Sequence, residues 1–285
     1  MRKVSVLVGI VTRDRVSILP KAISSVLSQR GPACRVAVLD DGSADATPQL
    51  RTRFPEVQWI RWDTNAGYMA ARNHLMKSTA DDYFVSLDDD AWFLQGDEIA
   101  LAVNYLEENK SSVAAVAFDI LSPDRPRPIA RGNPQPTATF IGCGHVVRLA
   151  AVREVGDYAA SPGSYGGEEK DLCLRLLDAG YSIVKLPGVH VWHDKTSVAR
   201  AAPQQHRSGV CNDLAMTLRR VPGMLLPAAL AAKVYRHFRF SWQNGLTRPC
   251  LEGFALFLRS VPAVWHSRKP VRTQALRTFI RLTRS

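Results

Sequence analysis

In the stretch Phe84-Val85-Ser86-Leu87-Asp88-Asp89-Asp90, a short apolar run ends in three adjacent carboxylates. Carboxylates this close repel one another unless a cation joins them, and hard divalent ions such as Mg²⁺ and Mn²⁺ prefer oxygen ligands. Such ions keep open coordination positions and use them to grip substrate phosphates. The apolar run has β-formers at its centre and turn material on both sides, so it reads as a buried strand. In an open α/β sheet, ligands bind just beyond the carboxyl ends of the strands. The triplet would then stand at the mouth of a crevice. Asp-x-Asp is a common pattern, and a solvated acidic turn is the competing reading.

Two further acidic groups have similar settings. Asp40-Asp41-Gly42-Ser43 ends the apolar run 35–39. Glu168-Glu169 follows a Gly-rich segment, 161–167, that reads as a mobile loop able to order over a ligand and exclude water. The pairs Leu172/Leu176 and Cys173/Leu177 then repeat at four residues, which predicts an amphipathic helix packed on the sheet. Carboxylates in a first helical turn are also favoured by the helix dipole, so capping accounts for Glu168 and Glu169 as readily as chemistry does.

The elements that must position these groups follow a regular plan. Strands over 4–10, 35–39, 57–62 and 83–87 alternate with helices over 19–29, over 45–54 and from 67 onward. That alternation predicts a parallel sheet with right-handed crossovers. A helix over 97–109 and a strand over 113–120 continue it. Residues 122–136 hold five prolines and read as an extended surface connection. A strand over 140–147 contains Gly142 and Gly144, where glycine suggests close approach of a ligand or another backbone. Short extended segments over 181–186 and 189–192 close on His193. No G-x-G-x-x-G follows the first strand and no G-x-x-x-x-G-K-[ST] occurs, which argues against dinucleotide and P-loop sites.

The chain has 285 residues and 46% apolar residues, enough for one large domain, or one domain with an extension. The apolar start after Met1-Arg2-Lys3 is too short for a signal peptide and lacks a small-residue cleavage site. The five cysteines, Cys34, Cys143, Cys173, Cys211 and Cys250, are scattered without a C-x-x-C pair. That fits a reduced, cytoplasmic compartment and no zinc site. The net charge of +11 is uneven: residues 200–285 hold fifteen Lys and Arg against two acids, while the rest is close to neutral. A basic tail of this kind points to an anionic partner, nucleic acid or a lipid surface.

Taken in order, several motifs resemble those of family 2 glycosyltransferases of the GT-A, nucleotide-diphospho-sugar transferase type. They are Val11-Thr12-Arg13-Asp14-Arg15, Ser24 to Gln29, Asp40 to Asp45, Asn65-Ala66-Gly67 with Ala71-Arg72-Asn73, Leu87 to Asp90, Gly167 to Leu172, and His193. The resemblance implies an α/β fold, a mostly parallel sheet flanked by helices, with a catalytic domain over 1–199 and a basic helical region over 200–285. It implies a metal-dependent, inverting transferase that moves a sugar from a UDP- or dTDP-sugar to a hydroxyl of a glycan or lipid-linked acceptor, as in bacterial O-antigen and exopolysaccharide synthesis. Thr12, Arg15, Asp41, Asn65, Gly67, Arg72, Asp88 and Asp89 would then face the donor. Asp88 and Asp90, with His193, would hold Mg²⁺ or Mn²⁺. For a lone His, a satisfied core or surface residue is the alternative. Glu169 stands where the family has an Asp as catalytic base, one methylene longer here, and Glu168 is its rival.

In the tail, the apolar stretches 221–232 and 251–265 fall short of a bilayer span, the second being broken by Arg259 and Pro262. Phe238, Phe240, Trp242, Phe254, Phe257 and Trp265 are interleaved with arginines, a pattern suited to helices lying at an anionic membrane surface. The enzyme would thus sit peripherally on the inner face of the cell membrane. No nucleic-acid-binding module is recognisable, which disfavours that partner. A nucleotidyltransferase would need a Gly-rich basic loop after the first strand, where Thr12-Arg13-Asp14-Arg15 stands instead.

Overall fold

A computed structural model describes residues 4–32, 34–130, 132–195 and 202–284. Met1 to Lys3, on which the leader reading partly rests, and the expected 199/200 boundary lie outside the described residues. The elements run β1 (Val6–Thr12), α1 (Leu19–Leu27), β2 (Cys34–Asp41), β3 (Gln58–Trp62), α2 (Tyr68–Lys77), β4 (Tyr83–Asp88), β5 (Ala91–Phe93), α3 (Glu98–Glu108), β6 (Val113–Leu121), β7 (Gln135–Pro136), β8 (Gly144–Arg148) and α4 (Leu149–Val155). Then come α5 (Glu168–Asp178), β9 (Ser182–His193), α6 (Ala202–Arg220), α7 (Leu226–Gln243), α8 (Thr247–His266) and α9 (Thr273–Arg284). The helix expected over 45–54 is only a 3₁₀ segment, Thr47–Thr52.

The chain divides into two compact units. The first, in its described parts, holds residues 4–157 and 179–195; the second holds 158–178 and 202–284. This division differs from the expected 1–199 and 200–285. Helix α5 falls in the same unit as the C-terminal helices.

The first unit is built on one sheet with the order β3-β2-β1-β4-β8-β6-β9-β5, and β7 pairs with β9. Strands β3, β2, β1 and β4 are mutually parallel, as the alternation predicts. Their long apolar runs are what burial on both faces requires: β6 is buried throughout and β4 in all but its last residue. The sheet is mixed, because β8 enters antiparallel between β4 and β6. Strand β5 also turns back, pairing antiparallel with the end of β9. An antiparallel strand starts where its parallel neighbours end, so the residues just before β8 stand at the same edge as the acidic triplet.

Two expectations need correction here. The segments 181–186 and 189–192 form one strand, β9, which runs through Pro187-Gly188 beside a register shift between Ala117 and Asp119 of β6. The tightness at Gly144 comes from side chains rather than another backbone: a Cβ there would lie 2.6 Å from Ile120 and 3.2 Å from Phe118.

The second unit has its own core. Val210, Cys211, Leu214, Ala215, Leu218 and Val221 of α6 and its end pack with Leu226, Cys250, Phe257 and Val264. Helix α8 continues through Pro262. Among the described residues, no helix is long and apolar enough to cross a membrane.

Candidate active site

The carboxyl edge of the first unit is fixed by side chains that fasten one loop to another. Asp14 adopts φ 54°, a left-handed conformation that Asp tolerates better than most residues. Its carboxylate accepts the N–H of Ala44 at 2.7 Å, and its own N–H donates to Ser43 Oγ at 2.8 Å. Val16 N–H donates to Asp45 and Arg15 N–H to Thr47 Oγ1. The loops after β1 and β2 thereby form one rigid ledge. Asp41 accepts Ala66 N–H at 2.7 Å and Gly67 N–H at 2.8 Å, one on each carboxylate oxygen. It holds the 65–67 turn in place ahead of α2. Gly42 has φ 77° and a Cβ there would lie 3.0 Å from the Asn65 nitrogen, so glycine is needed for that approach.

The three carboxylates of the triplet sit in three different surroundings. Asp88, partly exposed at the end of β4, forms an ion pair with Arg72 of α2. Asp89 accepts the Thr12 hydroxyl at 2.8 Å and lies 3.8 Å from Arg15 Nε. Burial pushes its carboxyl up to about 7, with Asp90 and Asp88 adding to the rise against the opposing pull of Arg15 and Thr12. Asp90 is fully buried and its Oδ1 lies 3.1 Å from His193 Nε2. The contact follows from β5 pairing, which sets Ala91 opposite His193 and ties Asp194 N–H to the Asp90 carbonyl.

One oxygen of Asp88, the sulfur of Cys143 and one ring nitrogen of His193 lie within 4.8 Å of one another. Ligands on one ion stand about 2.0–2.3 Å from it, so pairs of them are separated by at most about twice that. The donor set therefore fits a divalent cation. His145, in β8, is fully buried, and burial with the nearby Arg72 charge pushes its imidazole down to about 3. It is held neutral, stacked on Phe140 at 3.9 Å, with its Nδ1–H donating to the Ile141 carbonyl.

Helix α5 of the second unit starts with Glu168, which is 1% exposed, and Glu169, which is half-buried. Asp171, on the same first turn, is bound by two arginines. Arg220 donates through Nε to Oδ1 at 2.6 Å and through Nη2 to Oδ2 at 3.1 Å, and Arg175 Nε donates at 2.8 Å. The 161–167 segment, read as a mobile loop, is fastened by Asn212 of α6. Asn212 Oδ1 accepts Gly163 N–H at 2.7 Å, and its Nδ2–H₂ group faces the carbonyls of Gly163, Tyr165 and Gly166 at 2.7–3.1 Å. A Cβ on Gly163 would lie 2.9 Å from the Ser208 backbone, so this contact needs glycine.

The model of the glycosyl transferase family 2 matches residues 7–144. Those residues contain the contacts that join the loops after β1 and β2, the 65–67 turn and the acidic triplet. The chain carries a family 2 glycosyltransferase domain. A succinoglycan biosynthesis protein, ExoO, of Rhizobium meliloti is 32% identical over 106 residues, 36% of this chain and 30% of that protein. The chain spans less than half the length of the curated relatives it matches. Two solved structures share the fold. A mannosyltransferase from Pyrobaculum calidifontis, in complex with GDP-Man and Mn²⁺, has TM-score 0.62 at 17% identity, covering 98% of this chain and 79% of that one. S. aureus TarS 1-349, in complex with UDP-GlcNAc, has TM-score 0.63 at 16% identity, covering 95% and 82%.

Within the glycosyltransferase unit, the structure brings Thr12, Arg15, Arg72, Asp88, Asp89, Asp90 and His193 into one connected set, with Asp41 and the 65–67 turn on the adjoining ledge. Asn65 itself is exposed. Glu168 and Glu169 belong to the other unit. Three residues escaped the sequence reading: Cys143, Asn212 and Arg220. None follows a local pattern. Each acquires its role from a partner 46 or more residues away, except that antiparallel pairing of β4 with β8 is what delivers Cys143.

Proposed function

We propose that the protein is a metal-dependent, inverting glycosyltransferase that transfers a sugar from a nucleotide-diphosphate donor to a hydroxyl of a glycan or lipid-linked acceptor. The observation that carries this reading is the convergence of Asp88, Asp90 and His193 at the carboxyl edge of β4 and β9. Asp88 and His193, with Asp90 behind them, would hold Mg²⁺ or Mn²⁺. A divalent cation there supplies neutralisation of the negative charge that develops on the leaving diphosphate. Arg72 and Arg15 add fixed positive charge to the same edge. Asp41, by holding the 65–67 turn, presets a ledge for the nucleoside. UDP and dTDP donors fit this scheme, and the GDP-Man and UDP-GlcNAc bound by the structural neighbours widen the panel to test.

For the base, Glu169 is the better candidate of the two. It is half-buried, whereas Glu168 is enclosed. Glu169 takes the acceptor hydroxyl proton as the oxygen attacks the anomeric carbon. The new C–O bond forms on the face opposite the breaking C–O–P bond, whose electron pair leaves with the diphosphate. One carboxylate suffices for such inversion, and its contribution is typically about 10²–10⁴-fold.

The relation to succinoglycan biosynthesis in the ExoO relative points toward polysaccharide acceptors. Helix α7 supports a place at a membrane surface, since it buries only Leu226 and Ser241. Tyr235, Phe238 and Trp242 line one exposed side of it, with Arg236 and Arg239 beside them. On α8, Leu251, Leu258 and Trp265 are exposed at seven-residue spacing. Such an aromatic and arginine surface suits the interface of an anionic membrane.

The deciding experiment is donor hydrolysis across UDP-, dTDP- and GDP-sugars with Mn²⁺, Mg²⁺ or EDTA. Slow, cation-dependent release of one nucleotide is expected. Release of the same nucleotide at an equal rate in EDTA would remove the metal from the scheme.

A further inference from the structure

Cys143 is 1% exposed and carries no disulfide. It immediately precedes β8, whose Gly144 pairs with Leu87 of β4. The next residue on each strand is Cys143 on one side and Asp88 on the other. Antiparallel pairing therefore delivers a thiol to the end of the strand that bears the acidic triplet. The third group, His193, arrives at the end of β9, where β5 folds back to set Ala91 opposite it. The three ligand atoms fall within 4.8 Å of one another. Among the described residues, this is the one set of three or more His, Cys, Asp or Glu side chains with such spacing.

We propose that Cys143 is a ligand of the cation site, giving a carboxylate–thiolate–imidazole donor set. The inference rests on the reading that the cation sits at Asp88. Its consequence is ion selectivity. Mg²⁺ is a hard ion that takes oxygen ligands and gains little from sulfur. Thiolate and imidazole favour borderline and soft ions, so the site ranks Zn²⁺, Co²⁺ and Cd²⁺ above Mn²⁺, and Mn²⁺ above Mg²⁺. The Arg72 guanidinium occupies one oxygen of Asp88, and the other oxygen of the carboxylate serves the cation. The remaining cysteines do not compete. Cys34 donates its S–H to the Pro32 carbonyl and burial pushes its thiol up to about 11; Cys173, Cys211 and Cys250 belong to the second unit.

The test is Co²⁺ titration of the full chain in the presence of UDP, following the near-ultraviolet thiolate-to-cobalt charge-transfer band, with bound Co²⁺ counted by equilibrium dialysis. The wild type and Cys34→Ala are expected to show the band at one Co²⁺ per chain. Cys143→Ser and Cys143→Ala are expected to lose it and to bind Co²⁺ at least about tenfold more weakly. In Cys143→Asp, an all-oxygen-and-imidazole set, the Mg²⁺-to-Cd²⁺ preference is expected to shift toward Mg²⁺. Co²⁺ bound by the wild type without a band overturns the role of Cys143 and leaves the cation at Asp88 standing. Absence of bound Co²⁺, Mn²⁺ and Cd²⁺ overturns both. Should the Ser and Ala variants not fold, the wild-type band and its competition by Cd²⁺ against Mg²⁺ still decide the question.

Discussion

Arg220 of α6 grips Asp171 of α5 through two of its nitrogens, at 2.6 and 3.1 Å, two residues beyond Glu169. Both side chains are buried, at 8% and 4% exposure. Bidentate pairing fixes the rotation of α5 as well as its position, because the planar fork matches the carboxylate in one orientation only. The helix that carries the candidate base is thus oriented by the C-terminal helices. Breaking a buried pair by removing one partner leaves an uncompensated charge, at a cost of about 3–5 kcal/mol. Arg220→Met should lower the unfolding free energy by that order in urea titrations. Because Arg175 also binds Asp171, the triple variant Arg220→Met/Arg175→Met/Asp171→Leu should recover part of it, since it removes every charge of the cluster. A triple variant no more stable than Arg220→Met would show that the cluster does not carry the loss.

Glu169→Gln should lower turnover by about 10²–10⁴-fold while the donor dissociation constant stays within a few-fold of wild type. Glutamine keeps the size of the side chain and removes its basicity. Asp90→Ala should abolish the cation-dependent component of donor hydrolysis. Stopped-flow turnover with calorimetric donor binding separates the two effects. Wild-type turnover in Glu169→Gln would shift the base assignment to Glu168.

Asn212 provides a separate handle on the 161–167 segment. Its side chain is 2% exposed and meets four backbone groups of that segment. Asn212→Ala strands the Gly163 N–H and several carbonyls, a penalty on the order of 1–3 kcal/mol for a buried donor left unsatisfied. The expected signature is local: amide exchange over 163–167 should accelerate by tenfold or more, on the order of that penalty. Unchanged exchange in Asn212→Ala would mean that the loop is held by other contacts.

What the sequence discloses and what it hides divides along physical lines. Strands β1, β2 and β4 are continuous apolar runs, the last two ending in acids, and local composition marks them well. The motif residues at their carboxyl ends follow directly. Strand β9 was split in the reading because Pro187-Gly188 resembles a break; the sheet absorbs it with a register shift and Gly188 at φ 84°. The 45–54 helix shrinks to a 3₁₀ segment because Asp45 and Thr47 spend their side chains on the backbone of Val16 and Arg15. Arg219 and Arg220 count toward the basic charge of residues 200–285, yet both are buried and bonded within the second unit. Cys143 looked inert because sequence spacing says nothing about which strand lies beside which. Long-range pairing decides these cases, and it has no local signature.

Acid should undo the second unit in a defined direction. Asp213 is held well below the usual carboxylate range: burial raises it, but hydrogen bonds from His237 and Lys233 and the Lys233 charge outweigh that. Asp171 is lowered likewise by Arg220 and Arg175 against the effect of burial. A carboxylate with a depressed folded pKa contributes stability that is present above its unfolded value, about 3.9, and is lost as pH falls through the folded value. The contribution of these two groups to the unfolding free energy should therefore hold level above about pH 5 and decline steadily below about pH 4. Asp213→Asn should be less stable at neutral pH and show a flatter acid limb. An acid limb as steep in both Asp213→Asn and Asp171→Asn as in the wild type would place the titrating groups elsewhere.

The exposed face of α7 and α8 yields the remaining prediction. Trp242 is 72% exposed, stacks with Phe238 at 6.4 Å, and stands beside Arg239. In residues 200–285 only Asp213 and Glu252 are acidic, and Asp213 is paired with Lys233. An anionic bilayer thus meets little opposing charge on this surface, and each basic residue near it contributes on the order of 1 kcal/mol. Sedimentation with vesicles containing anionic lipid should capture the protein at low salt and release it progressively as salt rises. Arg236→Glu/Arg239→Glu should weaken capture by about tenfold or more, and Phe238→Ser/Trp242→Ser should weaken it at every salt concentration, because apolar burial is not screened. Equal capture of both double variants and the wild type would move the docking surface away from α7.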